Sequence, residues 1–256
     1  MGFDFNSYMI FLFAGCRMAG VVFMNPIFGR RNIPSMVKVG LALGIAFNIT
    51  YQLQNVYVMD YTSIEIILSL FKEFGVGFAM GFVMQLFVSL FHFGGEVIDL
   101  QMGISMATLY DPNTNSQISI SGNLLTTMYI LIFFITNSHI TLMAVAARSY
   151  HVIPIGFDAV NPNVGFYMVD LFGYILVYAL QLALPVIIIE IIVEVAVGIM
   201  MRVVPNINVF VINLQLKLFV GLVVIITILP MIVRYMSRMN MIMLERLQDV
   251  LFYFIQ

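Results

Sequence analysis

Charged side chains are scarce in this chain. It has 11 basic and 13 acidic residues among 256, or 9%, against about 25% in a typical soluble domain. A water-facing surface needs roughly a quarter to a third of its side chains charged to stay dispersed. A soluble fold is therefore excluded, and nearly the whole length must lie against lipid or other protein. The net charge of -2 leaves no basic footprint for nucleic acid. Cysteine occurs once, at Cys16, so an internal disulfide framework is ruled out. The histidines His92, His139 and His151 lack the H-x-x-x-H spacing of a helical zinc site, and Cys16 has no metal-ligand companion nearby. No G-x-S-x-G elbow is present for a serine hydrolase. The sequence thus offers no catalytic residue, no metal set and no cofactor motif, and points to a membrane protein that is not an enzyme.

What the chain does have is length without charge. Crossing the hydrocarbon takes about 20 apolar residues in a helix, because each adds about 1.5 Å. Val39–Met59, Phe74–Gly95, Pro112–Ala147, Leu171–Ile189 and Leu218–Val233 carry no charged residue, and Tyr8–Phe28 is interrupted only by Arg17. The runs are continuous and lack the apolar–polar alternation of a membrane barrel. The expected fold is all-α, with about six long helices. The opening Met1-Gly2-Phe3-Asp4 carries no base before Arg17, so the first apolar stretch is expected to remain in the mature protein.

The ionisable residues sit in costly places. Arg17 lies mid-span, Lys72 and Glu73 fall within Ser63–Phe91, Glu190 and Glu194 within Leu171–Met201, and Lys217 within Asn206–Arg234. A charge at the bilayer centre costs roughly 2.5–3.5 kcal/mol even on the gentle insertion scale, so these groups are expected to face protein, water or one another. Arg30, Arg31 and Lys38 place the first loop in the cytoplasm by the positive-inside rule. Counting six spans forward then puts Arg234, Arg238 and Arg246 on the wrong side. That conflict favours a re-entrant pair or a chain held largely by protein neighbours.

Several stretches stand out. Asp111-Pro112-Asn113-Thr114-Asn115-Ser116-Gln117 and the following Ser119 and Ser121 form a polar, turn-rich insert between apolar runs. It reads either as an exposed loop or as a loop folded into a pore. Just before it, Gly94-Gly95 can hinge a helix, and Glu96 and Asp99 share a helix face. Those two carboxylates read as a proton-linked pair or as intersubunit hydrogen-bonding groups. Glu190 and Glu194, one turn apart, admit the same two readings, with Arg202 two turns on. The pairs Gly15/Ala19, Gly40/Gly44, Gly77/Gly81 and Gly103/Ala107 allow backbones to approach closely. There are 20 methionines, Met102 and Met106 among them, and such unbranched side chains can seal a changing cross-section. The tail Ser237–Gln256 is amphipathic, with Met239, Met243, Leu247, Val250, Leu251 and Phe254 on one face, and is expected at an interface or against a partner.

Three ordered stretches carry a resemblance: Arg17 with Asn25-Pro26-Ile27-Phe28-Gly29-Arg30, Ile33-Pro34 and Lys38; Gly95-Glu96-x-x-Asp99-x-Gln101-x-Gly103 leading to Asp111-Pro112; and Arg202-Val-Val-Pro205 with Asn208, Phe210 and Leu216-Lys217. Together they resemble the FliR family of flagellar export-apparatus proteins, whose virulence-secretion relatives hold the same place in injectisomes. The resemblance implies membrane-associated helical hairpins, a FliP-like part followed by a FliQ-like hairpin, in a subunit of a helical export-gate ring. It implies FliP, FliQ, FlhB and FlhA as partners, unfolded export substrates and lipid as contacts, and a place in the bacterial inner membrane at the flagellar basal body. Residues 1–123 would then hold the first hairpins and the plug loop, about 109–123, and residues 124–256 the later hairpins and tail, as one integrated unit. The plug maps onto Asp111, Pro112, Asn113, Thr114, Asn115, Ser116, Gln117, Ser119 and Ser121. Arg17, Glu96, Asp99, Glu190, Glu194, Arg202 and Lys217 become subunit-contact charges, and Met102 and Met106 a methionine seal. A proton-coupled secondary transporter is the alternative, using Glu190/Glu194 or Glu96/Asp99 as its carriers.

Overall fold

The computed structural model describes residues 5–30, 32–53, 62–104, 119–156, 160–203 and 209–255. Their main elements are α1 (Phe5–Met24), α2 (Ser35–Gln52), α3 (Ser63–Gln101), α4 (Ile120–Ile135), α5 (Ser138–Val152), α6 (Asn163–Val203) and α7 (Val209–Tyr253). No strand occurs among the described residues, so the all-α expectation holds. A helix satisfies every interior backbone donor and acceptor within itself, which an apolar run in hydrocarbon requires. At 39, 41 and 45 residues, α3, α6 and α7 are each about twice as long as the ~30 Å hydrocarbon demands.

Among the described residues, four helices are long and apolar enough to cross a membrane: α1, α3, α6 and α7; α4 with α5 make a fifth if the broken pair counts as one span. Two expectations about spans change here. The run Val39–Met59 is expected to cross; residues 54–59 lie outside the described residues, and the described part belongs to α2, which is not among those four. Lys38, Asn48, Thr50 and Gln52 dilute its 18 residues. The described part of Pro112–Ala147 divides into α4 and α5 at Asn137, whose φ of 55° is left-handed. Asparagine tolerates that conformation better than most residues, so Thr136-Asn137-Ser138 ends one helix and starts the next.

By contact the chain forms two compact units. The first comprises Met1–Phe87, Asn137–Phe172 and Asn240–Gln256, and the second Val88–Thr136 and Gly173–Met239. In the first, α1 packs along α2, and Met9, Ile10 and Phe13 gather Leu53, Ile66, Leu70 and Ile155 around them. Most of the amphipathic tail, Asn240–Gln256, belongs to this unit, and its Met243, Leu247, Val250, Leu251 and Phe254 are buried. Its apolar face is thus used by its own chain. Asn240 Nδ2 donates to Ser138 Oγ at 2.6 Å, tying the tail to the start of α5. In the second unit, Phe91 of α3 stacks on Tyr129 of α4 with centroids 4.3 Å apart.

The glycine pairs part company. Gly77 and Gly81 lie where α3 meets α1: a Cβ on Gly77 would run into the Arg17 carbonyl oxygen, and one on Gly81 would sit 2.7 Å from Met24 Cβ. Only a residue without a side chain allows this approach. Gly40 and Gly44 have nothing within 4 Å of such an atom. Gly103 lies in a turn with φ 78°, not on a helix face, and Ala107 lies outside the described residues. α3 runs unbroken through Gly94-Gly95. Gly95 lets the backbone of Ser121 and Gly122 approach.

Candidate functional site

The charge in the middle of the first span finds its counter-charge within its own chain. Arg17 projects from α1 into the first unit, where its side chain is fully buried. Nε donates to Glu73 Oε2 at 2.6 Å, one terminal nitrogen to Ser149 Oγ at 3.1 Å, and the other to the Ile153 carbonyl at 3.0 Å. The guanidinium carbon stands 4.0 Å from the centroid of the Tyr150 ring, a cation–π geometry. Glu73, also fully buried, uses its second oxygen to accept from the Gly156 amide at 3.2 Å. Each charged group therefore meets several partners, the condition under which a buried pair survives desolvation. The network joins α1, α3, α5 and the segment after α5.

The Asn25-Pro26-Ile27-Phe28-Gly29 stretch is a turn stabilised from inside. Asn25 Oδ1 accepts from the amides of Ile27 and Phe28 at 2.8 and 3.1 Å, and the Gly29 amide donates to the Asn25 carbonyl at 2.7 Å. Lys38 Nζ then donates to the Gly29 carbonyl at 2.9 Å.

In the second unit the end of α3 holds the start of α4. Asp99, buried, accepts from Ser119 Oγ at 2.8 Å and from the Ser121 amide at 3.1 Å. Ser119 Oγ in turn accepts from the Gly122 amide at 2.8 Å and caps α4. A carboxylate at a helix amino end is favoured both by its free N–H groups and by the helix dipole. Glu96 takes a separate role: it is half exposed, 3.3 Å from His92 Nε2 on the same helix.

On the face shared by α6 and α7, Lys217 Nζ is 2.7 Å from Glu194 Oε1. One turn away, Glu190 is completely buried, and neither carboxylate oxygen has a hydrogen-bond partner among the described residues. It lies against Gly221, beside Met102: a Cβ on Gly221 would come within 2.9 Å of Glu190 Oε1 and 2.6 Å of Met102 Cγ. Met102 is itself 1% exposed.

Of the residues assigned to subunit contacts, Arg17 and Asp99 are thus engaged within their own units, as is the Lys217–Glu194 pair, while Glu190 is enclosed without a hydrogen-bond partner among the described residues, within reach of the Lys217 charge. Arg202 is exposed at the end of α6. Of the plug residues, only Ser119 and Ser121 are described; Asp111, Pro112, Asn113, Thr114, Asn115, Ser116 and Gln117 lie outside the described residues, as does Met106. Sequence reasoning marked Glu73 as a costly charge without assigning it to the site, and missed Ser149, Tyr150 and Gly156. The one available signal was a lone acid beside Lys72 in an apolar run, since nothing local marks the other three.

Residues 8–242 match the family described as bacterial export proteins, family 1. The flagellar biosynthetic protein FliR of Escherichia coli (strain K12) is 28% identical over 235 residues, 92% of this chain and 90% of that protein. That of Bacillus subtilis (strain 168) is 28% identical over 251 residues, 96% of each. The Yop proteins translocation protein T of Yersinia pestis is 27% identical over 184 residues, 71% of this chain and 70% of its own length. With a family match along nearly its whole length and FliR proteins aligned over the same span, this chain belongs to bacterial export proteins family 1 as a member of the FliR family.

Proposed function

We propose that the chain is a wall subunit of a type III protein export gate. With FliP and FliQ it forms the channel through which unfolded flagellar proteins leave the cell, in contact with FlhB and FlhA, in the bacterial inner membrane at the flagellar basal body. The observation that supports this best is how little of the late helices the chain covers by itself. In the most apolar windows of α6 and α7, only 28% and 17% of residues are buried. Ile188, Ile192 and Val195 of α6 and Phe219, Leu222 and Ile226 of α7 are exposed apolar side chains, a surface suited to neighbouring helices or lipid.

The polar insert at 109–123 plugs the closed pore in this reading. Its far end is anchored at Asp99 through Ser119 and Ser121. The plug buries little apolar area and so opens at low cost. The test removes Asn113–Gln117 while sparing that anchor, in the co-expressed complex. The shortened complex should assemble and leak ions; an ion-tight membrane around a fully assembled complex would count against a plug.

One observation favours the transporter reading: Glu190 is a buried carboxylate without a hydrogen-bond partner among the described residues. Glu190→Ala decides between the two. In an export gate it reduces recovery of the complex more than any proton-dependent step, and in a transporter the order reverses.

A further inference from the structure

Each of the two longest helices carries a proline far inside it, Pro185 in α6 and Pro230 in α7. Proline has no amide hydrogen, so the carbonyl four residues earlier loses its helical donor. The acceptors left over are the carbonyls of Gln181 and Ile226. Both chains stay α-helical on either side of the proline, so the neighbouring amides serve their own i−4 carbonyls.

The two gaps lie at one depth. Tyr235 Oη donates to the Tyr178 carbonyl at 2.8 Å, Gly221 lies against Glu190, and Lys217 reaches Glu194, so α6 and α7 run antiparallel. In that register Pro230 falls opposite Gln181 and Pro185 opposite Ile226, about one helical turn apart. The hydroxyls nearest along α7 are committed elsewhere: Thr227 Oγ1 donates to the Val223 carbonyl at 2.7 Å, and Tyr235 serves Tyr178.

The Ile226 acceptor sits in exposed surface. Ile226 is 71% exposed and Pro230 is exposed as well. Phe219, Leu222, Ile226, Leu229 and Val233 make one bare apolar stripe along α7 at helical spacing. Lipid tails carry no donor, and a backbone carbonyl without one is costly in hydrocarbon. Water carries donors, but five apolar side chains are a poor lining for it. A helix of another protein meets both demands, with apolar contact along the stripe and a polar side chain at its middle.

We propose that the exposed stripe of α7 packs against a membrane helix of a neighbouring subunit, whose hydroxyl or carboxamide side chain donates to the Ile226 carbonyl. The contact rests on the chain being a wall subunit, and it assigns to protein a surface that lipid could otherwise cover. The exposed Gln181 of α6 gives the hairpin a second polar point at the same depth. Proline then sets the register of the contact, because it decides which carbonyl is free.

Pro230→Ala returns an amide hydrogen to the Ile226 carbonyl and so removes the acceptor. The isolated full chain should then unfold at a higher temperature. Its recovery with FliP and FliQ, all made together by cell-free synthesis into membranes, should fall about fivefold, the worth of one interhelical hydrogen bond. Lactic acid in place of Pro230 removes the ring but puts an ester oxygen where the N–H would be, so that form should be recovered like the parent. Equal losses in both forms would assign the effect to the ring, and unchanged recovery of Pro230→Ala would leave the carbonyl without an outside donor; either overturns the proposal. A nitroxide at Leu222→Cys, in a Cys16→Ser chain, reports what covers the stripe. In the assembled complex it should be shielded from both dissolved oxygen and a water-soluble nickel relaxant. Free access of oxygen would mean lipid and of nickel water, and a label already shielded in the isolated chain would mean a second copy; each overturns the proposal. A parent chain recovered without other subunits overturns the wall-subunit function too, whereas a complex indifferent to Pro230→Ala overturns this contact alone.

Discussion

Arg17 and Glu73, 56 positions apart, close a 2.6 Å ion pair from which solvent is wholly excluded. The pair lies among segments that the sequence separates widely, and it accounts for two charges that would each be prohibitive against lipid. Removing either partner strands the other.

Arg17→Ala and Glu73→Ala should therefore each destabilise the detergent-solubilised chain by about 3–5 kcal/mol. Arg17→Met with Glu73→Met should recover most of that loss, because the double replacement leaves no buried charge. Arg17→Lys should fall between, since a lysine cannot serve Glu73, Ser149 and Ile153 with the same planar fork. Thermal unfolding of the four variants checks this, and additive losses in the double variant would contradict the pairing.

The glycines of α2 and α3 should respond oppositely. Gly77→Ala pushes a methyl group into the α1 backbone and should cost at least about 1–3 kcal/mol. Gly40→Ala meets open space and should gain up to about 1 kcal/mol from helix propensity. Unfolding midpoints of the isolated chain separate the two outcomes.

Asp99→Ala should loosen the start of α4 specifically. Losing the acceptor for Ser119 and Ser121 is worth about 1–3 kcal/mol if those donors stay buried. Amide exchange at Ser121 and Gly122 should accelerate while exchange in α1 is unaffected. Uniform acceleration along the chain would mean global rather than local weakening.

Around Glu190 the signs divide. Glu190→Met should raise the stability of the isolated chain by roughly 1–3 kcal/mol, since a carboxylate without donors is replaced by an apolar side chain of similar length. Lys217→Met should cost more than the roughly 1 kcal/mol of its pair with half-exposed Glu194, because its charge also acts on the buried Glu190 carboxylate. A Glu190→Met chain that unfolds earlier than the parent would show that Glu190 has a stabilising partner.

The helical class and most of the spans were legible because an apolar run fixes its backbone locally. Tyr8–Phe28 became α1, Leu171–Ile189 lies inside α6 and Leu218–Val233 inside α7. The sequence also marked Arg17, Glu73, Glu190, Glu194 and Lys217 as charges needing company, but not which pairs with which, because an ion pair across 56 residues leaves no periodic trace. Glu96 and Asp99 share a spacing that suggests a pair, yet Asp99 binds the start of α4 and Glu96 turns toward His92. Glycine permits both bending and close approach, so Gly94-Gly95 reads as a hinge, and the close approach of Gly122 to Gly95 is not legible in the sequence.

The sparse self-coverage of α6 and α7 bears on how the cell must make this protein. A copy synthesised without company would present long greasy ridges to chaperones and proteases, so surplus molecules should be cleared instead of stored. In the proposed export gate its abundance would then track that of the neighbouring subunits, and matched synthesis of the set becomes a requirement.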